Sequence, residues 1–257
     1  VAATFRDVAD APEGVTAVPL DDRSALVEAL ADTQALLVTA PPGPEGCPGL
    51  NTLVPALAQA RAFPDWTGYL STTGVYGDRR GRWVFEASRL AAQSTEGARR
   101  VAAERDWLEV GRGMGLTVQV FRLPGIYGPG RSALDRLRAG EARRIAAPGQ
   151  VFSRIHVDDL AAGLAASIAR PRAGGIYNLC DDEPAANSEV VAYAAGLLGL
   201  PAPPEVPLAT AGLSPTAQRF YAESKRVSNA RAKAELGWRP MYPTYREGLA
   251  AILAAGG

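Results

Sequence analysis

A doubly wound α/β fold around a parallel sheet is the expectation for this chain, and three observations predict it. From Val1 to about Cys180, short apolar runs alternate with helical stretches, the order that successive βαβ units produce. The run "ALLVTA" is apolar without polar alternation, as a strand buried on both faces requires. Two of the runs end in turns rich in glycine and proline, "PPGPEGCPG" and "PGIYGPGRS", which no helix or strand continues.

Taken in order, "VAATF" and "VTAVPL" read as strands, followed by a helix over Ser24–Ala31 and the strand "ALLVTA". After the first glycine/proline turn, Leu50–Ala62 has the apolar spacing of a helix, and "TGYLSTT" is the next strand. A long helix is expected over Thr95–Val110, with Ala98, Val101 and Leu108 on one face, then the strand "LTVQVFRL". "FSRIHVDDLAAGLAASIA" reads as a strand end and a capped helix, and "GGIYNLC" as a strand. Beyond it come a proline-rich connector, the helix "SNARAKAEL" and the turn "GWRPMYPT". The expected organisation is therefore a nucleotide-binding core over 1–180, with 124–150 contributing to a substrate side, and a small C-terminal lobe over 181–257.

Composition narrows the function classes. The chain has 257 residues, 47% hydrophobic and 21% charged, enough for a sizeable core. Lys+Arg and Asp+Glu both number 27, so nucleic acid and anionic membranes are not expected partners. Cys47 and Cys180 lack metal or disulfide spacing, and His156 is the single histidine, so no metal site or histidine triad is expected. The longest apolar run, near Val190–Leu200, is too short to span a bilayer, and no signal peptide is visible, which points to the cytoplasm.

Five stretches carry a resemblance: "YLSTTGVYGD" at 69–78, "FRLPGIYGPG" at 121–130, "RIHVDDLA" at 154–161, "IYNLCDDEP" at 176–184 and "KAELGWRPMYP" at 233–243. In this order they resemble the extended short-chain dehydrogenase/reductase family of nucleotide-sugar epimerases and dehydratases. The resemblance implies a Rossmann-type doubly wound sheet with a small C-terminal substrate lobe and a site in the cleft between them. The family opens with a strand and a G-x-x-G-x-x-G turn that holds the cofactor pyrophosphate. No such motif stands before "VAATF", which takes the register of a second strand, so about 30 further residues are expected upstream, as in a fragment.

The resemblance also implies the site residues. Arg6 follows the strand that reads the adenosine ribose and suits the 2′-phosphate of NADP, while Asp7 beside it leaves NAD open. Asp21 takes an adenine-contacting position or caps the next helix. Thr39, Ala40 and Pro41, at the end of "ALLVTA", and Pro124 and Gly125, at the start of "PGIYGPG", take further cofactor positions. Thr72 takes the place of the hydroxyl that orients the substrate, with Thr73 beside it for substrate contact and Tyr76, Tyr127 or His156 as the replacement proton carrier. Arg154 and His156 are expected to meet a phosphate or acid group of the substrate, although His156 also fits a structural role, and Asp158 or Asp159 is expected to cap the following helix.

The family's Tyr-x-x-x-Lys pair should open the long helix. Aligning on Gly97 and Glu104 puts Glu96 in the tyrosine position and Arg100 in the lysine position, so both catalytic residues are missing. Arg100 keeps a charge that suits a cofactor ribose or phosphate, and Glu96–Arg100 is also a helix-surface i,i+4 pair. "YAESK", at Tyr221–Lys225, spells the motif in the C-terminal lobe, where it reads as a coincidence. The functional expectation is an atypical NAD(P)-dependent oxidoreductase or epimerase/dehydratase acting on a nucleotide sugar or similar polar metabolite, with NADP preferred. The alternative is a dinucleotide-binding sensor or scaffold without turnover. The resemblance further implies a homodimer formed through the long helix.

Overall fold

The computed structural model describes residues 1–256. It begins with β1 (Ala2–Phe5) and β2 (Thr16–Pro19), which pair in parallel from Ala2↔Thr16 to Phe5↔Pro19. Helix α1 (Arg23–Ala31) starts where the Asp22 carboxylate accepts the Ala25 N–H at 3.0 Å, satisfying one of the orphan donors of the first turn. Strand β3 (Ala35–Val38) and helix α2 (Pro48–Ala60) follow. The helix starts earlier than its apolar spacing suggests because Pro48 sits in its first turn, where its missing N–H costs nothing.

Strand β4 (Trp66–Thr72) pairs in parallel with β3, from Ala35↔Trp66 to Val38↔Tyr69. Next come β5 (Trp83–Val84), the long helix α3 (Thr95–Met114) and β6 (Val118–Leu123), all six of whose residues are buried. Helix α3 runs past Val110 to Gly115, whose φ of 71° ends it without the Cβ penalty. Strand β7 (Gly125–Tyr127), helix α4 (Ala133–Arg138), β8 (Arg144–Ala146), β9 (Arg154–His156), α5 (Val157–Ala169) and β10 (Gly175–Asn178) complete the next stretch. The chain closes with α6 (Asn187–Leu197), β11 (Glu205–Pro207), α7 (Pro215–Tyr221), β12 (Arg226–Val227), α8 (Ala230–Leu236) and α9 (Tyr245–Ala254).

The central sheet has the order β10-β6-β4-β3, and β1-β2 form a separate parallel pair. This is the α/β architecture with parallel sheets that the sequence predicts. Three small parallel pairs, β5-β12, β7-β9 and β8-β11, are added to it. No helix among the described residues is long and apolar enough to cross a membrane.

Two compact units make up the chain. One comprises residues 1–70, 99–120 and 171–175; the other comprises 71–98, 121–170 and 176–257. In the first, Trp107 is fully buried and its indole N–H donates to Cys47 Sγ at 3.4 Å. The second has a core of Leu134, Ala185, Val190, Ala194, Tyr245, Leu249 and Ile252. Helices α4 and α9 bring their side chains to this core from capping boxes, Ser132 with Asp135 and Thr244 with Glu247.

Candidate functional site

Within the second unit lies a cavity of about 580 Å³. Its walls come from the loop after β6, from α4, β9, α6, α7 and α9, with Gly125, Tyr127, Phe152, Arg154, Tyr221 and Tyr245 among the lining residues. Gly125 and Tyr127 reach it because β7 pairs with β9 in register, Gly125↔Arg154 and Tyr127↔His156. Of the residues expected at a site, the cavity therefore gathers Gly125, Tyr127 and Arg154; Thr72, Thr73, Tyr76, Pro124 and His156 do not line it.

Thr72 ends β4, and Thr73 opens the 3-10 turn that follows. The Thr72 hydroxyl accepts the Gly74 N–H at 3.1 Å and so caps that turn. Tyr76, at the end of the turn, is fully buried, and its hydroxyl donates to Asn178 Oδ1 at 2.7 Å while accepting from Arg122 Nη1 at 3.0 Å. Arg122 Nη1 also donates to the Glu86 carbonyl at 2.9 Å, and Glu86 Oε1 accepts the Asn178 N–H at 2.9 Å. Burial, only partly offset by Arg122, pushes the Tyr76 phenol up to about 12. Its proton is held within a buried network.

The ring of Tyr127 lines the cavity, but its hydroxyl is buried without a hydrogen-bond partner, so close to α9 that a Cβ on Gly248 would lie 2.1 Å away. Burial raises this phenol strongly as well. His156 packs edge-on between Tyr127 and Tyr242, with ring centroids 5.2 and 4.5 Å away. Its Nδ1 accepts the Asp158 N–H at 3.2 Å, so the cap of α5 is His156 itself and not either aspartate. Asp159 instead points at the loop before α9, accepting the Met241 and Tyr242 N–H groups at 2.5 and 3.1 Å.

The positions aligned with the missing catalytic pair are engaged elsewhere. Exposed Glu96 pairs with Arg219 of α7 at 3.2 Å, and Arg100 donates to the Leu70 carbonyl at 2.5 Å and to the Tyr69 hydroxyl at 3.3 Å. The expected Glu96–Arg100 surface pair does not form, because Arg100 turns inward over the Tyr69 ring. The motif "YAESK" splits in the same way: Tyr221 lines the cavity, edge-on to Phe152 at 5.2 Å, whereas Lys225 pairs with Glu223. Tyr221 is the cavity residue that sequence reasoning set aside. Its one signal was the spelling of the motif, which suggested the wrong partner.

In the first unit, Arg6 and Asp21 stand exposed after β1 and β2, and Thr39, Ala40 and Pro41 follow β3. Each lies beyond the carboxyl end of a parallel strand, where open α/β sheets bind ligands. A cationic and an acidic side chain on such strand ends suit an adenosine ribose and base, with Arg6 able to meet a 2′-phosphate. The glycine-rich turn at 43–49, with Gly43, Gly46 and Gly49, comes directly after this segment and leads into α2. Arg6 and Asp21 thus fit the adenosine end of a dinucleotide.

No protein-family model matches the chain. It is similar to the 3-diazoavenalumate denitrifying reductase of Streptomyces sp, at 35% identity over 141 residues, 51% of this chain but only 45% of that protein's length. It is also similar to Protein YeeZ of Escherichia coli (strain K12), at 30% identity over 224 residues covering 84% of this chain and 74% of YeeZ. Among solved structures, a functionally unknown conserved protein from Silicibacter pomeroyi DSS superposes with a TM-score of 0.87 at 44% identity, covering 98% of this chain and 89% of that one. The dTDP-glucose 4,6-dehydratase DesIV from Streptomyces venezuelae, with NAD and TYD bound, shares the fold with a TM-score of 0.75 at 21% identity over 95% of this chain and 80% of that one. RMD from Pseudomonas aeruginosa, complexed with NADPH, does so with a TM-score of 0.70 at 21% identity over 96% and 91%. With the five motifs in order, the parallel sheet and these relatives, the chain belongs to the extended short-chain dehydrogenase/reductase family, among the epimerase/dehydratase folds.

Proposed function

We propose that the chain is an NAD(P)-dependent oxidoreductase of the epimerase/dehydratase type, acting on a nucleotide sugar or similar polar metabolite, with NADP preferred through Arg6. The observation that carries this reading is the Thr72 hydroxyl. It stands at the carboxyl end of a parallel strand and accepts the Gly74 N–H, which leaves its own proton available to donate to a substrate oxygen. The dinucleotide, when bound, supplies hydride exchange; Arg6, Asp21 and Thr39–Pro41 are proposed to hold its adenosine end. Arg100, Pro124 and Gly125 complete the proposed cofactor contacts.

Thr73, Arg154 and His156 are the proposed substrate contacts, and residues 181–257 the substrate-side lobe, a division supported by the α6, α7 and α9 residues that line the cavity. Tyr76 and Tyr127 act by position in this scheme, because burial keeps both phenols protonated. A second reading, dinucleotide binding without turnover, is favoured by one observation: Glu96 and Arg100 are both engaged in other contacts.

Thr72→Ala separates the two. If Thr72 orients a substrate, NADPH-linked turnover falls by about 100-fold. Stability then drops by only about 1 kcal/mol, the value of the lost turn cap, and Thr72→Ser restores activity. Unchanged turnover in a folded Thr72→Ala variant would remove Thr72 from the mechanism.

A further inference from the structure

The walls of the 580 Å³ cavity are cationic and apolar together. Arg131, Arg136, Arg143 and Arg154 line it against one carboxylate, Asp135. That carboxylate is already used at the start of α4, where it accepts from the Ser132 N–H at 2.7 Å and the Ser132 hydroxyl at 2.6 Å.

Some of the uncharged polar groups are engaged as well. Ser153 Oγ accepts the Val227 N–H at 3.0 Å, Asn187 Nδ2 donates to the Arg143 carbonyl at 3.3 Å, and the Tyr127 hydroxyl is buried against α9. A buried sugar ring needs a partner for almost every hydroxyl, and each one left unmet costs free energy. These walls supply such partners chiefly as cationic donors. They offer arginines, the edge-to-face pair of Phe152 and Tyr221, and aliphatic surface from Val190, Val191 and Leu249.

Arg154 concentrates the argument. Its Nη2 donates to the Ala185 carbonyl at 3.2 Å, the Tyr245 ring centroid lies 5.4 Å from its Cζ, and its Nη1 is buried with no hydrogen-bond partner. Asp181, the acid nearest in its electrostatic effect, is itself buried, and burial holds its carboxyl in the protonated form up to about pH 8, so it does not neutralise the guanidinium. A buried guanidinium left so incompletely paired is costly, and an arriving anion offsets that cost.

We propose that this cavity takes a small aromatic carboxylic acid, its carboxylate on the Arg154 guanidinium and its ring against the Phe152–Tyr221 pair. This replaces the nucleotide sugar of the reading above with an aromatic acid, keeps the oxidoreductase reading, and rests on taking the cavity as the substrate site. The acid group sets specificity.

The test is calorimetric titration of the full chain at neutral pH with trans-cinnamate, cinnamamide and UDP-glucose, and separately with NADPH. Cinnamate is expected to bind at least about tenfold more tightly than its amide and more tightly than UDP-glucose. Arg154→Gln removes the acid–amide difference, while Tyr221→Ala weakens acid and amide alike and keeps it. Equal affinity for acid and amide on the unaltered chain, including no binding of either at millimolar concentration, overturns the proposal without depending on how any variant folds. Tighter binding of UDP-glucose than of cinnamate overturns it as well. The NADPH titration keeps the two readings apart: NADPH binding without acid–amide discrimination removes this inference alone, and discrimination without NADPH binding removes the cofactor reading alone.

Discussion

Asp181→Asn is expected to make the protein more stable than the natural chain at pH 8 and to leave stability unchanged near pH 3. Asp181 is 2% exposed, and burial, only partly countered by the Arg154 charge, pushes its carboxyl from 3.8 up to about 8. Below pH 3.8 the group is protonated in the folded and unfolded chains alike and contributes nothing to the pH dependence. Between there and about 8, the unfolded chain releases this proton while the folded chain keeps it, so stability falls as pH rises; above that, the loss is complete. The rise corresponds to on the order of 5 kcal/mol at its upper bound. Asparagine has nearly the shape of the protonated acid without the ionisation, so it recovers most of that loss, less the cost of its unpaired amide N–H groups. Urea unfolding of both chains from pH 3 to 9 measures it. A variant less stable than the natural chain at pH 8 would mean that Asp181 is ionised and sustains Arg154 as a charge pair.

The second large effect is at Gly77. Its φ is 67°, and an added Cβ would lie 2.0 Å from the Ala91 carbonyl oxygen, so both the conformation and the space exclude a side chain. Because the obstacle is backbone, relief requires the segment that carries Tyr76 to move. Gly77→Ala should cost about 4 kcal/mol or more, whereas Gly130→Ala, with a similar φ of 72° but nothing within 4 Å, should cost about 1 kcal/mol. Thermal unfolding of the two variants compares them directly. Equal losses would show that left-handed backbone strain alone, not the Ala91 contact, fixes this turn.

The elements that were legible in the sequence are those whose period or turn chemistry is local. "ALLVTA", "TGYLSTT" and "LTVQVFRL" were identifiable as strands because continuous apolar runs between turns leave few other structures. Helices α4, α6, α7 and α9 were missed because each is short and owes its place to tertiary packing, although the Ser132–Asp135 and Thr244–Glu247 spacings marked two of their starts. The candidate site was harder still. Arg154 was identified as an anion contact from its motif, and it lies on the cavity, but nothing local shows that its Nη1 lacks a partner or that Phe152 and Tyr221 face one another. His156 was assigned two roles, and its capping of α5 follows from its extended backbone at the junction with β9, φ −70° and ψ 143°, which no spacing encodes. Arg100 likewise kept the charge of the position it aligns with, but its direction toward Leu70 is set by packing over Tyr69.

The central claim, that this chain works with a nicotinamide dinucleotide, is tested most directly by calorimetric titration of the folded chain with NADPH and, separately, NADH. The account predicts saturable binding with NADPH preferred, and loss of that preference in Arg6→Ala, where the 2′-phosphate no longer meets a cation. A folded chain that binds neither dinucleotide would contradict it.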